Sequence, residues 1–417
     1  MRTPRNHRYS LADESLHRLD AHTMRGASIP RSLRVHELAT KGAIALAIVL
    51  AIGVAQPQLA AASTRPASPK QVGYRVATST NPSATANALS GVSCHGPNFC
   101  AAVGFYVIAA VDKTLVEMFN GLRWTTSESV NPSLTSNYLV GVSCPLRTFC
   151  MAVGARGAGA KQLTLIEKWN GRVWTTSPGV SPSSQNTLEA VSCPTTRFCA
   201  AVGEQVQRGV DRTLIETWNG ARWRTSTSTN IGRGENQLFG VSCTSSKFCA
   251  TVGERVASGH SATLTEAWNG RKWTTRSSKS PGSIDLLSGV SCATSTFCEA
   301  VGKRVSGAGT TTLIERWNGS RWTTVRSSNP NAHSTLWAVS CPRVRTCRAV
   351  GDVQAGTLNR TLVEGWNGVR WSTSVSANPG MRDGFNGVSC SSASACKPVG
   401  YEVVDTSTFD SLIEWGA

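Results

Sequence analysis

Residues 188–203 read LEAVSCPTTRFCAAVG, and residues 213–225 read TLIETWNGARWRT. The first segment holds Cys193 and Cys199 among apolar residues, and the second holds an Asn-Gly pair between two tryptophans. Short apolar runs rich in Val, Leu, Ile and Trp are typical of strands, and Asn-Gly between two such runs is a strong signal of a β-hairpin. Together the two segments predict four short antiparallel strands.

The same pattern recurs seven times along the 417-residue chain. Each unit contains one Cys-x5-Cys pair, and the 14 cysteines of the chain form seven such pairs spaced 49 or 50 residues apart. A fixed period of this size indicates a repeat architecture, and four antiparallel strands per unit match one blade of a β-propeller. A superhelical solenoid is the structural alternative, but it requires capping units at its ends. The pairs are Cys94–Cys100, Cys144–Cys150, Cys193–Cys199, Cys243–Cys249, Cys292–Cys298, Cys341–Cys347 and Cys390–Cys396.

The two ends of the repeat region complement each other. The last unit, from Cys390 to Ala417, has a third strand but no fourth, and residues 73–80 have the spacing of the missing strand. Joining the ends in this way removes the open sheet edges of a linear array. We therefore predict an all-β fold over residues 73–417, a seven-bladed β-propeller with one disulfide per blade and an N-terminal strand that closes the last blade.

Residues 1–62 are typical of a signal peptide with a long n-region, and residues 63–72 of a linker. The apolar run at residues 42–55 is shorter than a membrane span of roughly 20 residues, and small residues that resemble a cleavage site follow it. An uncleaved anchor is the alternative, and translation starts at Met1 or at Met24. Export predicts a secreted, extracellular or cell-wall-associated protein, in which cysteines at fixed spacing form disulfides.

Metal and cofactor chemistry find no support in the motifs. The cysteine pairs lack the Cys-x2–4-Cys spacing of zinc sites, and no histidine recurs beside them. The sequence contains no Gly-rich phosphate loop and no Ser-His-Asp arrangement above chance. We therefore expect seven disulfides, no metal, no cofactor and no catalytic constellation.

Residues repeated in all seven units are expected to belong to the scaffold, because a single site needs each group only once. The paired tryptophans, with Phe119 in place of the first Trp in unit one, should pack between blades, with an exposed platform for stacking sugars as the alternative. A glutamate in the third strand predicts a structural hydrogen bond, and a glycine in the second strand predicts a β-bulge or a close approach of blades. The glutamates are Glu117, Glu167, Glu216, Glu266, Glu315, Glu364 and Glu414, and the glycines are Gly104, Gly154, Gly203, Gly253, Gly302, Gly351 and Gly400.

The loops between the second and third strands, and between successive units, differ most from unit to unit. In a propeller they share one face, and the cysteine and Asn-Gly hairpins lie on the other. Variable loops on a constant scaffold favour a ligand-binding role for their face. These loops include residues 155–162, 204–211, 254–262, 352–360 and 378–384.

One position in the first strand also varies, the residue that follows the first-strand leucine. If the first strand is innermost, these side chains surround the mouth of the central channel. Packing between blades is the alternative interpretation. The candidate ligand-binding residues at this position are Glu189, Phe239, Trp337 and Asn386, and the other units have Ser90, Val140 and Ser288 there.

Two resemblances to known families support the fold. The hairpin at residues 216–220 resembles the Asp-box of sialidase-like propellers, but Glu216 and Trp218 stand where that motif has Ser or Thr and Asp. The resemblance implies a propeller hairpin and not sialidase chemistry. Ser-Cys-x5-Cys-x-Ala-Val-Gly with Trp-Asn-Gly-x-x-Trp, over residues 73–417, is similar to repeats of exported, largely uncharacterised actinobacterial proteins. That resemblance implies export and a propeller, and it transfers no site.

The chain is basic, with a net charge of +17. Such a charge suits anionic wall polymers, lipid head groups or nucleic acid, although no specific nucleic-acid motif is present and solubility alone is the alternative explanation. We predict a monomeric, non-catalytic binding scaffold whose ligand is a cell-wall polysaccharide, an anionic wall polymer or another exported protein. Membrane attachment is expected only if the leader is uncleaved.

Two other functions remain open at this stage. A carbohydrate-active enzyme of glycosidase or lyase type would need a single pair of carboxylates at the channel mouth. Glu189 with Asp211, or Glu189 with Asp352, are the candidate pairs. A purely structural surface spacer would have no pocket and a fully solvated loop face.

Overall fold

The computed structural model describes residues 73–416 apart from residues 258, 281, 308 and 329–331. Within them, 28 β-strands form seven four-stranded antiparallel blades, which confirms the all-β seven-bladed propeller. No helix in this part of the chain is long and apolar enough to cross a membrane. The predicted signal peptide and linker lie outside the described residues.

Each blade begins with its innermost strand and ends with its outermost strand. The innermost strands are β2 (Asn87–Cys94), β6 (Asn137–Leu146), β10 (Asn186–Thr195), β14 (Asn236–Ser245), β18 (Ile284–Thr294), β22 (Ser334–Arg343) and β26 (Arg382–Ser392). The second strands are β3 (Cys100–Ile108), β7 (Phe149–Ala158), β11 (Phe198–Gln207), β15 (Phe248–Ala257), β19 (Phe297–Ser306), β23 (Thr346–Ala355) and β27 (Ala395–Val403). The third strands are β4 (Val111–Phe119), β8 (Lys161–Trp169), β12 (Val210–Trp218), β16 (His260–Trp268), β20 (Gly309–Trp317), β24 (Leu358–Trp366) and β28 (Phe409–Trp415). The outermost strands are β5 (Trp124–Thr126), β9 (Trp174–Thr176), β13 (Trp223–Thr225), β17 (Trp273–Thr275), β21 (Trp322–Val325), β25 (Trp371–Ser374) and β1 (Arg75–Ala77).

The N-terminal strand closes the ring as predicted. β1 pairs antiparallel with β28, with Arg75 opposite Trp415 and Ala77 opposite Ile413. The strand is shorter than the predicted residues 73–80, because only three residues form the ladder. At the channel, the first and last blades also meet closely, since a Cβ on Gly387 would lie 3.1 Å from the Cα of Gly91.

A ring of hydrogen bonds joins every blade to the next. The serine before each first cysteine accepts the backbone N–H of the corresponding cysteine one blade further on, at 2.9–3.0 Å. This explains why Ser precedes Cys in every unit: the serine belongs to the interface between blades. The pairs are Ser93 with Cys144, Ser143 with Cys193, Ser192 with Cys243, Ser242 with Cys292, Ser291 with Cys341, Ser340 with Cys390 and Ser389 with Cys94.

All seven predicted disulfides are formed, each across the tight connection between the first and second strands. Most of the repeated tryptophans pack where the sequence predicts, and Trp415, 54% exposed, is an exception. Trp218 and Trp223 share a buried cluster with Phe149 and Met151 of the preceding blade. The indole N–H of Trp218 also donates to the carbonyl of Thr196 at 3.1 Å, which fixes the cysteine hairpin against the third strand.

The repeated glutamates hold the segments that connect blades. All seven are fully buried. In blade two, Glu167 accepts hydrogen bonds from the hydroxyl of Ser129, at 2.8 and 3.0 Å, and from the N–H of Val130 at 3.3 Å. Six blades use such a serine, and in blade three Glu216 accepts the N–H of Val180 at 2.9 Å instead. The predicted structural role is confirmed.

The variable loops between second and third strands are far shorter than predicted. In blade three, β11 and β12 extend through most of residues 204–211 and leave a two-residue turn at Arg208 and Gly209. Both turn residues have positive φ, 53° and 77°, as a tight hairpin turn of the primed type requires. The polar residues of these segments therefore lie on strands, so their backbone positions are fixed by ladder pairing.

The repeated glycines each stand opposite a β-bulge. In blade three, Leu188 pairs with Gly203 and Ala190 pairs with Val202, so Glu189 is an extra residue in the inner strand. A Cβ on Gly203 would lie only 2.1 Å from the carbonyl oxygen of Thr187. The same shift occurs in all seven blades, which confirms the bulge interpretation of this glycine.

Replacing one of these glycines should therefore destabilise the fold. We expect Gly203→Ala to lower the free energy of unfolding by about 3 kcal/mol, because backbone atoms must move to admit the methyl group. Denaturant titration measures the change. Gly307→Ala is the matched control, since nothing lies within 4 Å of a Cβ there. Equal stability of the two variants would contradict this role.

Candidate ligand cavity in the central channel

The seven inner strands enclose a cavity of about 370 Å³ in the channel. All four predicted ligand-binding residues line it, and the equivalent residues of the other three blades do so as well. Each of the seven is the extra residue of its β-bulge, which leaves it out of ladder pairing. The residues are Ser90, Val140, Glu189, Phe239, Ser288, Trp337 and Asn386. Their position is thus established, and their role in binding stays a prediction.

Two uniform layers lie beneath these variable residues, toward the disulfides. The next residue is Gly in five blades and Ala in two, because neighbouring backbones nearly touch; a Cβ on Gly141 would lie 2.9 Å from the Cα of Ala190. Seven valines follow, of which six are buried and Val92 is partly buried. The channel is therefore narrow and apolar on the disulfide side and chemically varied on the other.

A second set of polar side chains completes the cavity at blades six and seven. The indole N–H of Trp337 donates to Oδ1 of Asp352, and the amide of Asn359 donates to Oδ2 of Asp352 at 3.5 Å. Burial raises the pKa of Asp352, while the hydrogen bond from Trp337 and the charge of Lys303 oppose the rise. Burial and the negative charge of Asp352 raise the pKa of Tyr401 to about 12, so its hydroxyl stays protonated.

Sequence reasoning had placed Asp352 and Asn359 in the variable loop at residues 352–360 and had named Asp352 as one half of a catalytic pair, but it had not singled out Asn359 and had missed Tyr401. A signal for two of them was present. Asp352 and Tyr401 both directly follow the repeated glycine of the second strand, and that position varies between units as the bulge position does. Asn359 carries no repeat signal, because its contact with Asp352 depends on the length of the hairpin between β23 and β24.

On the opposite side of the ring, Glu189 is 7% exposed. Burial raises the pKa of the neighbouring Tyr138 well above its usual range, and the charges of Glu189 and Glu204 add to the rise. Asp211 does not line the cavity and instead accepts a hydrogen bond of 2.6 Å from the side chain of Gln237. Of the two carboxylate pairs considered from the sequence, only Glu189 and Asp352 share the cavity.

Packing between blades explains the presence of some of the seven bulge residues. The amide of Asn386 donates to the carbonyl of Leu89 in blade one at 3.0 Å, so this side chain also supports ring closure. By contrast, the hydroxyls of Ser90 and Ser288 are buried in the cavity wall and have no hydrogen-bond partner among the described residues. Buried polar groups are normally paired, so these two hydroxyls are unsatisfied groups of the cavity wall that the cavity itself does not expose.

Among the described residues, the charged groups of the cavity wall are carboxylates, and the charge of Lys303 acts on one of them, Asp352, from outside the lining. The lining includes the carboxylates of Glu189 and Asp352, and no Lys, Arg or His among the described residues. Aromatic faces of Phe239, Trp337 and Tyr401 supply the apolar part. Such a lining suits a polar group that is neutral or positively charged. The described residues contain no cluster of His, Cys, Asp or Glu that could hold a metal ion.

Comparison with solved structures supports the fold. The structure of YCF48 bound to D1 peptide is similar over 83% of this chain and 95% of that chain, with 12% identity and a TM-score of 0.52. The WD40 β-propeller domain of Doa1 is similar over 82% of this chain and 97% of that chain, with 12% identity and a TM-score of 0.50. YCF48 from Cyanidioschyzon merolae is similar over 82% of this chain and 98% of that chain, with 12% identity and a TM-score of 0.51. No protein-family profile matches the chain, and neither does any curated protein sequence. At such low identity these similarities establish the propeller fold alone.

Proposed function

We propose that this chain is an exported, non-catalytic binding propeller whose central cavity receives a small neutral or cationic group of its partner. The partner is a wall polysaccharide or another exported protein. The observation that carries the proposal is the set of seven bulge residues: the scaffold repeats seven times, yet side chains of six different types converge on one cavity. Sugar hydroxyls, amino sugars and the side chains of basic residues all suit a lining of aromatic side chains and carboxylates.

Two further observations support this proposal. Seven disulfides are typical of a protein that folds in an oxidising compartment, as export requires. One of the solved structures of similar fold is YCF48 bound to D1 peptide, so a protein of this fold binds a peptide in that case. The resemblance of the repeats to exported actinobacterial proteins points in the same direction.

A carbohydrate-active enzyme is the second candidate. The observation in its favour is that Glu189 and Asp352 line one cavity from blades three and six, on opposite sides of the ring. Against it, Asp352 is engaged by Trp337 and Asn359. Glycan turnover that is lost in Glu189→Gln would support this candidate, and glycan binding without turnover would support the first.

A binding screen tests the leading proposal. We expect a member of a panel of neutral glycans, amino sugars and Lys- or Arg-containing peptides to bind in calorimetry, and Trp337→Ala to weaken its binding by at least about tenfold. Trp415→Ala is the matched control, since Trp415 is 54% exposed and lies outside the cavity. Binding that is indifferent to Trp337→Ala, or a panel without any binder, would count against a ligand site in the channel.

A further inference from the structure

The face of the ring that carries the disulfides has an unusual charge. In each of blades one to six two connections end on this face: the cysteine hairpin and the Asn-Gly hairpin; blade seven has the cysteine hairpin. Together these hairpins carry 12 basic residues and no acidic residue, and all 12 are exposed. We call this surface the disulfide face. Its basic residues are Arg123, Arg147, Arg172, Arg197, Arg222, Lys247, Arg271, Lys272, Arg321, Arg343, Arg345 and Arg370.

The acidic residues of the described chain do not neutralise the positive charge of the disulfide face. They lie on strands, on the opposite hairpins or in the segments between blades, and the repeated glutamates are buried. The basic residues are spread over six of the seven blades and are not gathered into a groove. A positive charge that is spread over six blades matches an extended negative surface better than a narrow polyanion strand.

Exposed apolar side chains occur on the same hairpins. Leu122 is 92% exposed and Val369 83%, each directly after the Asn-Gly turn, and Val173 is 53% exposed one position further on. Leu146 and Val344, at 44% and 43%, lie on cysteine hairpins. These five side chains belong to blades one, two and six. Trp415 of blade seven, 54% exposed at the end of β28, lies between them in the ring order. The apolar tips therefore form one arc from blade six to blade two.

From these two observations we propose that the disulfide face docks on an anionic lipid bilayer, with the arc of apolar tips entering the head-group region. Arg and Lys side chains attract the lipid phosphates, and protruding Leu, Val and Trp side chains reach the interface. A soluble polyanion would engage the basic residues but would gain nothing from the apolar tips. Docking in this way holds the disulfide face against the membrane and presents the variable end of the channel, with Asp352 and Tyr401, to the other side.

Vesicle sedimentation tests this proposal on the full chain. We expect binding to vesicles of phosphatidylcholine with phosphatidylglycerol, weak binding to phosphatidylcholine alone, and a steep loss of binding as salt rises. Arg222→Glu combined with Arg321→Glu should weaken binding by about tenfold or more. Leu122→Ser combined with Val369→Ser should weaken it by a smaller factor. Residues outside the described part are the same in every variant, so any membrane affinity of theirs cancels in the comparison.

Matched variants on the opposite side of the ring serve as controls. Arg208→Glu with Arg233→Glu makes the same charge change, and Leu134→Ser removes an equally exposed leucine, 92% in both cases. These variants should bind as the unchanged chain does. Hydrogen exchange in the presence of vesicles should slow at the disulfide-face hairpins only. Equal loss in test and control variants would overturn the proposal. So would binding that soluble polyphosphate reproduces and that Leu122→Ser with Val369→Ser leaves unchanged, because the partner would then be a soluble polyanion.

Discussion

A chain that begins at Ser83 is expected to unfold about 10 °C or more below a chain that begins at Gly73. The shorter chain lacks β1 and so loses its three residue pairs with β28. It also loses Asn81, whose side-chain oxygen accepts the N–H of Ser411 at 2.9 Å and its hydroxyl at 2.7 Å. Buried Glu117 loses the hydroxyl of Ser79, which donates to it at 2.5 Å. Each lost bond costs about 1 kcal/mol, and a buried group left without its partner costs more.

Calorimetric melting of the two chains measures this difference. The chain that begins at Gly73 retains the closing strand and is the control for the removal of all preceding residues. The shorter chain should also associate at high concentration, because β28 then presents an unpaired edge. If both chains melted at the same temperature, contacts at the channel such as that between Gly387 and Gly91 would be sufficient to close the ring.

The fold was predictable because the features that specify it recur in every unit. A single Cys-x5-Cys pair is ambiguous, but seven at a constant spacing leave few alternatives. The comparison of units also separated scaffold from site: Gly203, opposite the bulge, is repeated, and the extra residue of the bulge, Glu189, is not. That contrast was sufficient to predict from the sequence alone that four residues line the channel.

What could not be predicted depends on contacts between blades or on hairpin length. Tyr401 of blade seven and Asp352 of blade six interact electrostatically across the junction of two units, which a comparison within the repeat does not reveal. The extent of β23 and β24 depends on a two-residue turn at residues 356–357, where Gly356 has a φ of 65°. The basic disulfide face was equally hidden, because each hairpin contributes at most two basic residues and the pattern appears only when the ring is assembled.

The repeated glutamates give the protein an unusual dependence of stability on pH. Burial raises the pKa of Glu167, Glu216, Glu266 and Glu315 from 4.5 to about 7, and hydrogen bonds from the connecting segments reduce the rise. The pKa values of the other three repeated glutamates are raised for the same reason. Between pH 4.5 and 7 the folded chain therefore binds more protons than the unfolded chain. By linkage, the free energy of unfolding falls as the pH rises through this interval.

We therefore expect the protein to melt about 10 °C or more higher at pH 5 than at pH 8. On the order of 1 kcal/mol for each of several carboxyl groups produces a shift of this size. Calorimetry in buffers of matched ionic strength measures it. Salt bridges that required ionised carboxylates would produce the opposite trend, with a higher melting temperature at pH 8, and that result would contradict a dominant contribution of the repeated glutamates.

One substitution separates the repeated glutamates from other acidic groups. Glu216 is the member without a serine partner: Val180 donates to Oε2 at 2.9 Å, and Oε1 is buried with no partner among the described residues. Glu216→Gln keeps an oxygen for that N–H and removes the ionisable proton. The variant should match the unchanged chain or exceed it in stability at pH 8, fall to or below it at pH 5, and so show a smaller pH effect. The exposed Glu128→Gln is the control and should leave the pH effect intact. An identical pH effect in both variants would assign the titration to carboxyl groups other than Glu216, because Glu216 is buried and Glu128 is exposed.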